Sequence, residues 1–335
     1  MAAGYTNRRF RDRWLHSHYP KGNLSMQSEA LYDTLDSVTA IPIVPFRGGT
    51  IDLGGHRRNI RYLMENNHLD GNRKRVIGIA GTSLIHHFSL EDQMRVIEAT
   101  GEEMGEDGFL MSGIVPNPLS QAEKLVRGQS ALPRPPDIYL IMPLTGVADH
   151  ESTYDDYMAF AERLGKDCGA RFLLYMRSAD YVNPIIRLVK DSPHMVGVKV
   201  GTSEEEVTPL INGIGDDGIV MWGIGDRSTR AAELGTRGHT SGTAIVAARS
   251  ADEINNAQRR GDYTASAAVE ALIADLEHLR FMNGRQYNYS AVVEAMIIGG
   301  WEDVAAGEGG PFNPRVPRDI AARVADAVEP LRAYH

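Results

Sequence analysis

Met195-Val-Gly-Val-Lys-Val-Gly201 is a short apolar run with a single lysine inside it. A charged ammonium is costly in an apolar interior, so Lys199 must either find a partner or give up its proton. A neutral lysine is a nucleophile of the kind that captures a ketone as an iminium ion. The competing reading is a strand-end lysine that snorkels to solvent. A run this short, apolar on both faces and bounded by glycine, has the pattern of a strand in a parallel sheet covered on both sides.

The same pattern recurs on either side of this run. Val38 to Pro45 predicts a first strand, and further strands are expected at 75–80, 109–115, 137–143, 171–176, 218–223 and 239–246. Helical spacing of apolar residues falls between them, at His56 to Asn66, Ser89 to Met104, Tyr154 to Lys166 and Ser203 to Ile214. Ser89 with Asp92, and Ser203 with Glu206, supply helix-start signals. Eight strand–helix units in about 220 residues, joined by crossovers, predict an α/β fold of the (β/α)8 TIM-barrel class. An open doubly wound sheet would carry a glycine-rich phosphate loop after its first strand, and Pro45-Phe-Arg-Gly-Gly-Thr50 has neither spacing of that kind. Tyr263 to Phe281, Tyr289 to Ile298 and Arg318 to Leu331 predict an appended C-terminal helical region. The expected organisation is an N-terminal extension over 1–36, a barrel over 37–260 and helices over 261–335.

Composition narrows the function. The chain has 335 residues, 42% hydrophobic and 24% charged, enough for a large core. A formal charge of -9 supplies no basic field for nucleic acid or an anionic membrane. The arginines at 8, 9, 11 and 13 form a local exception, read as part of a solvated extension that also carries Trp14, Tyr19 and Tyr32. No apolar run is long enough to span a membrane, and the arginines are not followed by the apolar core of a secretory signal. One cysteine, Cys168, excludes an intrachain disulfide, so the expected compartment is the cytoplasm.

Barrel chemistry gathers at the C-terminal ends of the strands. Lys199 ends the sixth predicted strand and Tyr175 the fifth, which makes them neighbours; a phenol beside the lysine can shuttle protons. Arg177, two residues on, offers a guanidinium fork for a carboxylate. Gly81, Thr82 and Ser83 supply backbone N–H groups and hydroxyls where a carboxylate can sit, with His86 and His87 next in the same loop. Gly225 and Ser241 complete the candidate mouth. Adjacent histidines chelate one ion poorly, so no metal site is expected.

These residues make the chain resemble the dihydrodipicolinate synthase and N-acetylneuraminate lyase family of class I aldolases, from about Val38 to Leu331. Ile43-Val-Pro-Phe46 is similar to the family's first-strand motif, Leu174-Tyr-Met to the Leu-Tyr-Asn around its relay tyrosine, and Val196-Gly-Val-Lys199 to the Val-Gly-Ile-Lys around its Schiff-base lysine. The resemblance implies a lyase, usually a homotetramer, that binds pyruvate or another 2-oxo acid as an iminium on Lys199, with Tyr175 as relay and no metal or organic cofactor. A homotetramer or homodimer and a small-molecule substrate are therefore expected. Ile79 and Ala80 stand where the family has two hydroxyl residues for the pyruvate carboxylate, and Thr82 where it has a glutamate. Leu144-Thr-Gly-Val147 lacks the usual tyrosine pair. The Tyr-x-Arg order at 175–177 is similar to the ketodeoxyglucarate dehydratase branch, which favours a sugar acid. The alternative is a divergent member that binds a small carboxylate metabolite without turnover.

Overall fold

The computed structural model describes residues 29–335. Eight parallel strands close into a barrel: β1 (Val38–Ala40), β2 (Val76–Ile79), β3 (Phe109–Ile114), β4 (Ile138–Ile141), β5 (Phe172–Met176), β6 (Met195–Val200), β7 (Ile219–Trp222) and β8 (His239–Ser241). Closure joins β1 to β8 through Val38 opposite His239, and to β2 through Thr39 opposite Val76. The helices α1 (Leu53–Glu65), α2 (Leu90–Met104), α3 (Leu119–Ser130), α4 (Ser152–Cys168), α5 (Val182–Asp191), α6 (Val207–Ile214), α7 (Thr229–Glu233) and α8 (Ala248–Arg259) follow the strands in turn. Three more, α9 (Tyr263–Arg285), α10 (Ser290–Gly299) and α11 (Arg318–Val328), form the C-terminal region.

Strand alternation decides which residues reach the barrel axis. In β5 and β6, Phe172, Leu174, Met176, Val198 and Val200 pack outward against the α3–α6 layer, with Phe160, Leu188 and Leu210 among their partners. The opposite parity sends Leu173 and Tyr175 inward and leaves Lys199 among them. The start signals act where the sequence puts them. Ser89 Oγ accepts from the Asp92 N–H at 3.0 Å, and Ser203 with Glu206 forms a capping box before α6.

Three boundaries differ from the sequence reading. The predicted first strand pairs only as far as Ala40, and the eighth ends at Ser241 instead of running to 246, because Thr243 begins a turn that hands the chain to α8. Phe46–Arg47 and Thr50–Ile51 form a small antiparallel ribbon. Its tip is Gly48-Gly49 with φ of 56° and 77°, the left-handed turn that glycine permits at low cost. Residues 29–35 are helical and bury Leu31 and Leu35 in the core, so this part of the expected extension belongs to the folded body. The four N-terminal arginines, Trp14 and Tyr19 lie outside the described residues.

At the N-terminal end of β2 the barrel is tied by a fully buried ion pair. Arg75 donates to both Asp252 oxygens, at 2.6 and 2.7 Å, and to the carbonyls of Asn66 and Leu63. Removing one partner leaves an uncompensated buried charge. Asp252→Ala is therefore expected to cost about 3–5 kcal/mol, measured as a lower urea midpoint; a change below about 0.5 kcal/mol would contradict this role.

Candidate active site

Lys199 and Tyr175 are registered opposite one another on β6 and β5. The lysine Nζ sits 3.9 Å from the centroid of the tyrosine ring, and Lys199 is 4% exposed. Two glycines make the space for it. A Cβ at Gly223 would lie 2.5 Å from the Val200 carbonyl oxygen and 2.8 Å from Lys199 Cε, and one at Gly201 would run into the Tyr175 ring. The pair opens on a cavity of about 450 Å³ at the C-terminal mouth of the barrel. This is the end where barrel chemistry resides.

Gly81, Thr82, Arg177 and Gly225 line that cavity together with Lys199 and Tyr175. Three other candidates lie off it. Ser83 is buried by a tight turn and donates to the Pro42 carbonyl at 2.7 Å. His87 points out of its turn and packs on Phe312, with ring centroids 5.2 Å apart, while His86 lines the cavity. Ser241 has the wrong strand parity: Thr240 and Gly242 line the mouth, and Ser241 Oγ donates behind them to Asp226 at 2.7 Å. Ile79 and Ala80 are both in the apolar core. Among the described residues no cluster of three or more metal-ligating side chains occurs.

The sequence reading missed a group that comes from one place. Regular winding of α9 fails at Met282-Asn283-Gly284, and the chain turns in over the barrel mouth. Arg280, Phe281, Arg285 and Asn288 thereby join the cavity wall. Arg285 donates to the Tyr175 hydroxyl at 3.3 Å and to the Gly201 carbonyl at 3.2 Å. Asn288 accepts from Arg280 at 2.7 Å and donates to Thr82 Oγ1 at 3.4 Å. The available signal was the Asn283-Gly284 dipeptide, a helix breaker just before an arginine.

This arrangement moves both protons. Burial drives Lys199 below the usual lysine range; the Tyr175 charge opposes this, and the Arg285 and Arg177 charges add to it. Burial alone would raise Tyr175, but Lys199, Arg285 and Arg177 outweigh it and bring the phenol down to about 7. Lysine and tyrosine thus influence one another's protonation and titrate as a pair. A nucleophilic amine with an adjacent acid–base group is what carbonyl capture requires.

Residues 178–313, which include Lys199, match the model described as the Dihydrodipicolinate synthetase family. That match spans less than half of the chain. The barrel also superimposes on solved structures of dihydrodipicolinate synthases. One from Bacillus clausii is 20% identical, with a TM-score of 0.79 over 89% of this chain and 98% of that one. One from Oceanobacillus iheyensis is 18% identical, with a TM-score of 0.78 over 90% and 98%. A chloride-inhibited synthase from Acinetobacter baumannii, complexed with pyruvate, is 20% identical, with a TM-score of 0.75 over 89% and 99%. At these identities the structures establish the shared fold. No curated protein matches the chain.

Tyr175 is expected to ionise with a midpoint near 7. The difference in ultraviolet absorbance between wild type and Tyr175→Phe, followed across pH, should show one phenolate appearing there. A difference that appears only near the ordinary tyrosine value, about 10, would contradict the electrostatics described.

Proposed function

We propose that this protein is a lyase that acts through a Schiff base between Lys199 and C2 of a 2-oxo acid. The observation that carries the reading is the buried Lys199 amine, 3.9 Å from the Tyr175 ring, facing a cavity lined by cationic and hydroxyl groups. The neutral amine attacks C2, and Tyr175 transfers a proton to the carbinolamine oxygen, which leaves as water. Loss of a C3 proton from the iminium gives an enamine. Its electron pair then adds to a carbonyl carbon or, where C4 bears a hydroxyl, expels that group as water; both return the iminium, which water hydrolyses. Retro-aldol cleavage runs the first of these backwards. The lysine supplies the electron sink, so the chemistry asks for no metal or organic cofactor.

Thr82 and the Gly81 backbone, beyond β2, offer hydrogen bonds to the carboxylate next to C2. They do so in place of the hydroxyl pair that Ile79 and Ala80 have lost to the core. The pyruvate complex of the Acinetobacter synthase supports a pyruvate-type ligand for this fold. A soluble homo-oligomer, tetramer or dimer, is the assembly we infer, with the single cysteine suited to a reducing cytoplasm. Among the described residues no helix is long and apolar enough to cross a membrane.

Incubation with pyruvate or a 2-oxo sugar acid, followed by borohydride, should fix one adduct on the intact protein, mapping to Lys199 and absent from Lys199→Arg. Tyr175→Phe should form it roughly 10²-fold more slowly. An adduct on another lysine, or none with any of these acids, would defeat the mechanism.

A further inference from the structure

Four polar side chains connect the interior of the C-terminal region to the cavity wall in one line of hydrogen bonds. Glu277 of α9 is fully buried and forms an ion pair with Arg280. Arg280 donates from Nη2 to Asn288 Oδ1 at 2.7 Å and from Nε to the Asn288 carbonyl at 3.4 Å. Asn288 in turn donates from Nδ2 to Thr82 Oγ1 at 3.4 Å. Arg280, Asn288 and Thr82 line the cavity, and Glu277 does not reach it.

The fold keeps space for this line at two strand ends. A Cβ at Gly225, after β7, would run into Glu277 Oε2, and one at Gly242, after β8, would run into Arg280 Nη2. Chemistry then fixes the direction of each bond. A guanidinium only donates, so the Asn288 side chain must turn its oxygen to Arg280 and its amide nitrogen to Thr82. The Thr82 oxygen thereby accepts, and its proton is left for another acceptor. Among the described residues Thr82 Oγ1 makes no other hydrogen bond. In a cavity lined by Arg177, Lys199, Arg280 and Arg285, the acceptor that fits is the oxygen of an anion.

We propose that Asn288, held by the Glu277–Arg280 pair, is a positioning residue that commits the Thr82 hydroxyl as a hydrogen-bond donor to a carboxylate in the cavity. That this carboxylate belongs to a 2-oxo acid rests on the reading above; the polarity of the line does not. A donor aimed in advance needs no reorientation when the anion arrives, and bonds to a charged acceptor are among the stronger ones. An Asn288 that touched the ligand itself, or merely stapled the turn after α9, would act independently of the Thr82 hydroxyl.

A double-mutant cycle separates these roles. The readout is pyruvate binding to Lys199→Ala, which cannot form the Schiff base, followed by ligand-observed NMR. Thr82→Val should weaken binding about tenfold, and Asn288→Ala about fivefold. In the Thr82→Val background, Asn288→Ala should change binding by less than about twofold, because the hydroxyl it orients is gone. Glu277→Gln removes a negative charge from behind the wall, which by charge alone would tighten an anion. It should instead weaken binding by loosening Arg280, and only while Thr82 is present. The Tyr175 phenol, contacted by Arg285 from the same turn, should keep its midpoint near 7 in Asn288→Ala.

Equal losses from Asn288→Ala with and without the Thr82 hydroxyl would overturn the proposal, as would pyruvate binding that is undetectable or indifferent to Thr82→Val. A shifted Tyr175 midpoint would assign the loss to a displaced turn and overturn it too. Tighter binding in Glu277→Gln would remove Glu277 from the line. A cycle that couples as described, with no borohydride adduct on Lys199 in the wild type, supports the positioning role and overturns the Schiff base alone.

Discussion

The structure depends on one unfavourable placement: an amine with no carboxylate partner among the described residues, buried at the end of β6, with two guanidiniums nearby. Burial and like charge both press Lys199 toward its neutral form. The phenol registered opposite it on β5 is the only group that opposes this strongly, and it is itself pulled down to about 7 by the same cations. Parallel strands are what make the arrangement possible. They bring residue 199 beside residue 175 at fixed register, and Gly201 and Gly223 leave room for both side chains. The rest of the barrel holds that register, including the Arg75–Asp252 tie at its far end.

Much of this is present in the sequence because it is written in local pattern. Apolar runs of four to six residues alternating with amphipathic helices carry the barrel, and Ser89 and Ser203 mark their helix starts where the structure has them. Lys199 and Tyr175 stand out because each breaks an apolar strand with a chemical group. The resemblance to the dihydrodipicolinate synthase family rested on those same segments, and the family match over residues 178–313 contains the lysine. Errors arose where orientation, rather than residue type, decides. Ser83, His87 and Ser241 have suitable chemistry and turn away, and the neighbours Thr82, His86 and Thr240 face the cavity instead.

The C-terminal contribution could not be found by strand reasoning at all. Arg280, Arg285 and Asn288 lie beyond the eighth unit, and only the break at Met282-Asn283-Gly284 folds them back over the mouth. They arrive beside the end of β2, where Ile79 and Ala80 belong to the apolar core. The polar lining on that side of the mouth therefore includes guanidiniums and an amide from the helical region, which ties the chemistry of the cavity to the packing of that region on the barrel.

The most direct measurement is the titration of Lys199 itself. With only six lysines in the chain, carbon-13 labelling at Cε gives few signals, and Lys199→Arg assigns the one of interest. The account predicts that this signal titrates well below the ordinary lysine value of about 10.4, and that its curve changes in Tyr175→Phe because the two groups titrate as a pair. A Lys199 signal titrating with the other lysines, and indifferent to Tyr175, would contradict it.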